Sequence, residues 1–285
     1  MNKITIVIFT VLLFTSAVNA QLEDRLNILD ESEVKNFARP LVTSFTSGMS
    51  AGAFNTAAVP KYFGFSIGVR AMYIFIPDDQ RSFTPNLPDG YLVDKDAPTI
   101  YGPETGVTYI GGGSNPPIVY PGGLDLKAFP IAFPQVTLSF FSTELLFRYV
   151  PLPLDDEDLT LLGLGLKHDV GQYIPLLPLD LAVQVLYNKL EVSDIVDATH
   201  MAYGLIASKS FALLTVYGGI QYETSSFDFS YEFTEENRNI NVEIEGDNDI
   251  RGVLGLALNF PFIVINADYS LGAQNVLSTG LSLQF

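Results

Sequence analysis

Between Tyr62 and Ile76 every second residue is apolar: Phe63, Phe65, Ile67, Val69, Ala71, Tyr73 and Phe75 face one way, Gly64, Ser66, Gly68 and Arg70 the other. Successive side chains of a strand point to opposite faces, so this run predicts a β-strand with an apolar and a polar side. The same period returns at roughly 131–140, 143–150, 159–169, 179–190, 198–208, 212–232, 241–260, 262–271 and 275–285, which makes about ten strands. In the last of them Leu277, Thr279, Leu281, Leu283 and Phe285 oppose Ser278, Gly280, Ser282 and Gln284. A chain that stops in mid-strand on a large aromatic needs that end anchored, and a closed antiparallel barrel anchors it on the first strand. Reading Gln135 to Val150 as one strand, or Thr43 to Ala53 as a further one, changes the count within about eight to fourteen.

Two segments do not alternate. Residues 21–60 hold an acidic amphipathic stretch with Leu22, Leu26, Leu29 and Val34 at near-helical spacing, then the small-residue run Ser47 to Ala53. A short periplasmic helix or a loose leader is expected over 21–36, followed by a segment at 37–60 suited to folding inside the lumen near its inner mouth. Residues 77–130 carry eight prolines between Pro77 and Pro121 and the run Gly111-Gly112-Gly113, which predicts a long extracellular loop that caps or enters the barrel.

Hydrophobic residues make up 48% of the chain and mean hydropathy is +0.27. Yet after the first 20 residues no stretch is long and apolar enough for a membrane helix; the best, Gly252 to Ala267, is broken by Asn259 and Pro261. Apolar content without contiguity is what alternating transmembrane strands produce. Residues 1–20, with Lys3, an apolar run from Ile4 to Phe14, and Val18 and Ala20 before Gln21, predict a signal peptide cleaved near Ala20. The chain has no cysteine, which excludes disulfides, thiolate metal sites and N-terminal lipidation. Net charge is -17, and loss of Lys3 takes the mature chain to -18, so nucleic acid is not an expected partner. The acids gather in connections, Asp155 to Asp158 and Glu243, Glu245, Asp247 and Asp249, where solvent holds them. A soluble β-sandwich explains the alternation but not the leader, the terminal Phe285 and the apolar surplus together.

Candidate chemistry is sparse. Two stretches fit G-x-S-x-G, around Ser50 and Ser66, but neither sits on the strand-to-helix elbow that exposes such a serine. His168 and His200 are expected at membrane interfaces, and two histidines without cysteine make no closed zinc site. The segment from Asp247 places Arg251 and Leu258 where a calcium loop needs oxygen ligands. No catalytic residue, cofactor or metal is therefore expected. The polar faces put Arg70, Glu144, Arg148, Lys167, Asp180, Gln184, Asn188, Arg251, Asn266, Asp268, Ser278 and Gln284 in the lumen. Mixed charge there predicts a filled, salt-bridged interior.

The stretches Thr143 to Pro151, Lys167 to Pro175 and Ala38-Arg39-Pro40-Leu41 with Gly48, Gly52 and Gly64 to Asp78 resemble an uncharacterised family of exported Gram-negative outer-membrane barrels. The ending on Phe285 is similar to the last strand that the barrel-assembly machinery recognises. More distantly, a small-residue segment ahead of a barrel resembles the hatch of FadL-type transporters of hydrophobic substrates. The resemblance implies an outer-membrane location among lipid and lipopolysaccharide, and a small hydrophobic molecule as ligand or cargo. The rivals are a structural or adhesion barrel presenting residues 77–130, and a lipid-modifying enzyme, for which Ser50, Ser66, His168 or His200 would have to be essential. A solid lumen would count against passage. TonB-dependent transport is disfavoured, since the mature 265 residues cannot supply a plug domain and about 22 strands.

Overall fold

The computed structural model describes residues 31–113, 115–153, 158–193, 195–233, 238–247 and 249–285. Its centre is a closed antiparallel barrel of ten strands: β1 (Phe63–Phe75), β6 (Ala128–Phe140), β7 (Thr143–Pro153), β8 (Asp158–Asp169), β9 (Asp180–Val192), β10 (Val196–Phe211), β11 (Leu214–Phe233), β13 (Ile250–Phe260), β14 (Ile263–Leu271) and β15 (Val276–Gln284). Neighbours in sequence pair around the ring, and β1 closes it by pairing with both β6 and β15. The closure runs from Ser66 opposite Gln284 to Ile74 opposite Val276. Phe285 finishes it: its N–H donates to Phe65 O at 2.8 Å and its own carbonyl accepts from Phe65 N at 3.0 Å. No sheet edge is left in the ring, as a wall facing hydrocarbon requires.

The expected strands match the observed ones within a few residues, with one correction. The run 241–260 is not one strand but two, β12 (Arg238–Ile244) and β13, because Gly246 and its acidic neighbours break the ladder. β12 pairs only with the far half of the 20-residue β11, so this hairpin rises beyond the barrel wall.

The wall has the expected two faces. Val69, Tyr73, Leu164, Leu256, Ile265 and Leu281 are exposed on its outer side, while their neighbours in sequence turn inward and are largely buried. Aromatic residues mark both ends of this apolar belt: Tyr73, Phe75 and Tyr269 form one cluster, and Phe65, Phe262 and Phe285 the other. Aromatic girdles flank the apolar band of membrane barrels at the two levels where hydrocarbon gives way to water. The connections differ in the same direction. At the end of Phe285 lie three two-residue turns, at 141–142, 212–213 and 261–262, and one longer connection, residues 170–179; Phe141 and Ser142 both have positive φ, as a type I′ hairpin needs. At the other end lies the long excursion between β1 and β6, which holds the short pairs β2 (Ser82–Phe83) with β3 (Ala97–Pro98) and β4 (Val107–Tyr109) with β5 (Ile118–Tyr120).

The N-terminal segment departs most from expectation. Among the described residues helix α1 covers Glu31–Ser50, so the helix expected over 21–36 runs well beyond 36 and takes in Ser47–Ser50 of the small-residue run; residues 21–30, the signal peptide and its cleavage point lie outside the described residues. The stretch expected at the inner mouth instead spans the lumen from one end to the other. The first half of α1 lies in the long-loop crown, where Phe37 O accepts from Ile100 N at 3.0 Å and Glu33 Oε1 from Asn86 N at 3.1 Å. The second half descends into the lumen, and residues 51–60 complete the descent to the tight-turn end, where Pro60 O meets Ser142 N at 3.3 Å. Small residues are what let a helix fit there: a Cβ on Gly48 would stand 2.0 Å from Ile131 Cδ1.

Candidate functional site

The lumen and what fills it form the candidate site. Its upper part is a hydrophobic core. Val34, Phe37, Val42 and Met49 of α1 pack with Met72, Ile74 and Phe133 of the wall, Tyr101, Tyr109 and Tyr120 of the crown, and Val242 and Ile244 of β12. Phe45 meets Phe227 edge to face at 5.6 Å. In the crown, burial pushes the Tyr101 hydroxyl far above the usual tyrosine range, with its contact to Ser44 opposing more weakly. Two polar ties cross this core: Ser44 Oγ donates to Gln274 Oε1 at 2.7 Å, and Gln274 Nε2 donates to Pro40 O at 3.0 Å. Pro40 lies inside the helix, and its carbonyl is met both by Gln274 Nε2 and by Ser44 Oγ, the latter at 3.0 Å.

Below Met49 the contacts turn polar. Arg148 donates through Nη1 to Met49 O at 2.9 Å and through Nε to Gln135 Oε1 at 3.0 Å, with its guanidinium 5.6 Å from the Phe133 ring centre. Gln135 in turn donates to Ala53 O at 2.9 Å. Lys167 donates to Thr56 O at 2.9 Å, pairs with Glu144 at 3.1 Å and lies 4.7 Å over the Phe54 ring. Ser208 Oγ accepts from Ala57 N at 2.9 Å and lies 3.1 Å from Thr56 Oγ1. Wall side chains on β6, β7, β8 and β10 thus satisfy a non-helical backbone that would otherwise lack partners in a dry lumen.

On the opposite wall the charges balance among themselves. Arg251 donates through Nε to Glu223 at 2.8 Å, and both side chains are almost wholly buried. Arg70 donates to Asn266 Oδ1 at 2.8 Å, Asn266 to the Tyr217 hydroxyl at 3.3 Å, and Tyr217 to Asp268 Oδ2 at 2.9 Å. That relay links the Arg70 cation to the Asp268 carboxylate without direct contact. Gly280 makes it fit, since a Cβ there would lie 2.0 Å from Arg70 Nη1.

Of the residues expected in the lumen, Arg70, Arg148, Lys167, Gln184, Asn188, Arg251, Asn266, Asp268 and Ser278 are buried there, and Glu144 joins them through Lys167. Asp180 is only half-buried at the tight-turn rim, beside Ser208 at 3.4 Å, and Gln284 is exposed at the same rim. Both sit at the ends of their strands, where inward alternation no longer means enclosure. Glu223 and Gln221 were absent from the expectation because β11 is broken by glycines and polar residues, although strict alternation from Tyr217 points to both. His168 lies at the rim, 2.9 Å from Thr143 Oγ1 and 3.1 Å from the Tyr173 hydroxyl. His200 is a correction: it is not an interface residue but a buried lumenal one, because β10 begins at Val196 and carries it inside the crown end. Of the acidic connections, Asp155 to Glu157 lie outside the described residues, while Asp247 approaches Arg39 at 3.9 Å.

His200 also bears on the first G-x-S-x-G stretch. Its Nε2 lies 2.8 Å from Ser50 Oγ, and its Nδ1 lies 3.1 Å from Asn188 Nδ2. The spacing imitates a nucleophile, base and orienting amide. The proton traffic runs the other way: with Asn188 donating to Nδ1, Nε2 carries the hydrogen and donates to Ser50, so it has no lone pair to accept the serine proton. Ser50 and His200 are both buried against the helix end. The second serine, Ser66, bonds Thr137 at 2.9 Å inside strand pairing.

Among solved structures, the chain is similar to OmpT, an outer membrane protein of Vibrio cholerae, at 11% identity over 79% of this chain and 100% of that one, with a TM-score of 0.27. It is similar to Ail, the attachment invasion locus protein of Yersinia pestis, at 12% identity over 78% and 97%, with a TM-score of 0.26. The translocator domain of the autotransporter NalP from Neisseria meningitidis matches at 13% identity over 91% and 99%, with a TM-score of 0.32. With scores this low, the barrel rests on the ring of ten pairings and not on these likenesses. No curated protein matches the chain. The family model that matches spans residues 1–285, and the chain belongs to that family, the family of unknown function DUF6588.

Proposed function

We propose that this is an outer-membrane barrel closed by its own N-terminal segment, whose work is done on the crown that α1 and residues 76–127 build at one mouth. The single observation that carries this reading is the filling of the lumen: α1 and residues 51–60 run from crown to tight-turn end in contact with the wall throughout. The apolar belt and closed ladder support a place in lipid, and the expected signal peptide supports export. Tight turns then face the periplasm and the crown faces outward among lipopolysaccharide. The β15 end at Phe285 is the part offered to the barrel-assembly machinery. The chain is not an enzyme in this reading, and Ser50 and His200 anchor the plug.

Two measurements test it. In planar bilayers the protein should pass no steady ion current, and a standing open conductance would defeat the closed reading. Replacing the exposed crown residues Leu92, Val93 and Ile110 by Ser, which spares the core around Tyr101, Tyr109 and Tyr120, should leave a folded, closed barrel and remove its binding on an array of glycans and matrix proteins; binding that survives the replacement would move the function elsewhere.

One observation favours a second reading, binding of a small hydrophobic molecule. The outer wall carries an apolar concavity of about 570 Å³ where Ala71, Thr279 and Ala267 leave space between Val69, Leu256, Ile265 and Leu281. Such a molecule would sit on the wall rather than pass through the lumen. Native mass spectrometry of protein purified from its membrane tests it: a bound apolar species should be lost in Ala71→Phe.

A further inference from the structure

Four cations line the lumen, and three have carboxylates. Lys167 pairs with Glu144, Arg251 with Glu223, and Arg70 reaches Asp268 through Asn266 and Tyr217. Arg148 has none among the described residues. It is 1% exposed, and its bonded partners are two neutral oxygens, Met49 O and Gln135 Oε1; Nη2 meets no acceptor among the described residues. A buried cation without a counter-charge is costly, and the ring of Phe133 offsets only part of that cost. What faces it is the carbonyl end of α1, which carries the partial negative charge of a helix C-terminus. The plug therefore supplies Arg148 with about half an elementary charge, where an anion would bring a full one. A guanidinium has five N–H donors in a planar fork, and here two are used.

We propose that Arg148 is the centre of a lumenal site for a small carboxylate or oxyanion, a site that the carbonyl end of α1 fills in the closed barrel and that such an anion takes over as the plug is released. A bidentate oxyanion on this fork is a stronger partner than one peptide carbonyl. Lys167, on the adjacent strand, holds Thr56 O in the same way and lies next to the opening of about 400 Å³ at the tight-turn mouth, lined by Thr56, Glu144 and Ser66. An anion entering there meets Lys167 and then Arg148, each bound to a plug carbonyl. Release is then an exchange of carbonyl for anion at two cations, and the anion shifts the equilibrium only by its preference for the released state.

The inference rests on the closed-plug reading, and one labelling experiment separates the two. The chain has no cysteine, and Ala57, beside the Lys167-held carbonyl of Thr56, is fully buried, so Ala57→Cys reports whether the exchangeable part of the plug is lodged. In detergent at fixed ionic strength, the introduced thiol should react slowly with a maleimide in sodium chloride. Replacing chloride by succinate or phosphate should raise the rate at least about tenfold, the shift given by a tenfold preference for the released state. With Arg148→Gln added, the rate should be high from the start and insensitive to either anion, while Arg148→Lys should keep a weaker response. A slow rate that neither anion changes overturns the anion site and leaves the plug intact. A fast rate in chloride with Arg148 present overturns the plug reading and the inference together. The background that keeps Arg148 decides between these even where Arg148→Gln fails to fold.

Discussion

The two halves of the lumen are filled by one continuous segment on two different principles. At the crown end α1 is held as a helix is held in a soluble protein, by Phe37, Val42 and Met49 in an apolar core. At the tight-turn end an irregular backbone is held by side chains of the wall, Arg148, Gln135, Lys167 and Ser208, each bonded to a carbonyl or N–H of residues 49–57. The first arrangement is non-directional and exchanges poorly for anything else. The second is a set of hydrogen bonds that another polar partner replaces one at a time. The contrast places stability at the crown and exchangeability below it.

Substitutions can break the contrast, and their sizes should fall in a definite order. The largest effect belongs to Glu223→Ala, which strands Arg251 in the wall; it should cost about 3–5 kcal/mol in guanidinium unfolding followed by heat-modifiable gel migration. Phe37→Ala should follow at about 3 kcal/mol, as a void opens in the apolar half; protease attack on the crown should reveal it before the barrel itself unfolds. Ser50→Ala should cost about 1.5 kcal/mol by leaving the His200 donor unmet, without affecting the crown. Arg39→Ala should change stability by no more than about 0.5 kcal/mol, because its 3.9 Å approach to Asp247 is exposed to solvent. If Phe37→Ala instead loosened residues 51–60 as much as the crown, the halves would be one unit and the contrast false.

The wall was legible in the sequence because period two is a local rule that barrel closure enforces on every strand, with β11, interrupted by Gly218, Gly219 and polar residues, the weakest case among those found whole. The exception, 241–260, failed where Gly246 bends a run that alternates on both sides. The plug was legible only in part. Gly48 and Gly52 advertised close approach, but whether small residues make a helix or a loop depends on the tertiary space around Ile131 and Ser278. The same dependence hid His200, whose partner Ser50 is distant in sequence and reaches it only because α1 ends at mid-lumen. Charge pairing was hidden likewise: Arg70 and Arg148 read alike in their strands, and only the Asn266–Tyr217–Asp268 relay tells them apart.

The account stands on the plug occupying the lumen, and a disulfide tests that directly. Thr56 Oγ1 and Ser208 Oγ lie 3.1 Å apart, one on the plug and one on β10, within the reach of a disulfide between cysteines at those positions. In a chain that has no other cysteine, Thr56→Cys with Ser208→Cys should cross-link almost completely under mild oxidation in the native membrane, and the cross-linked protein should keep its heat-modifiable migration. Free thiols at both positions in a correctly folded barrel would contradict it.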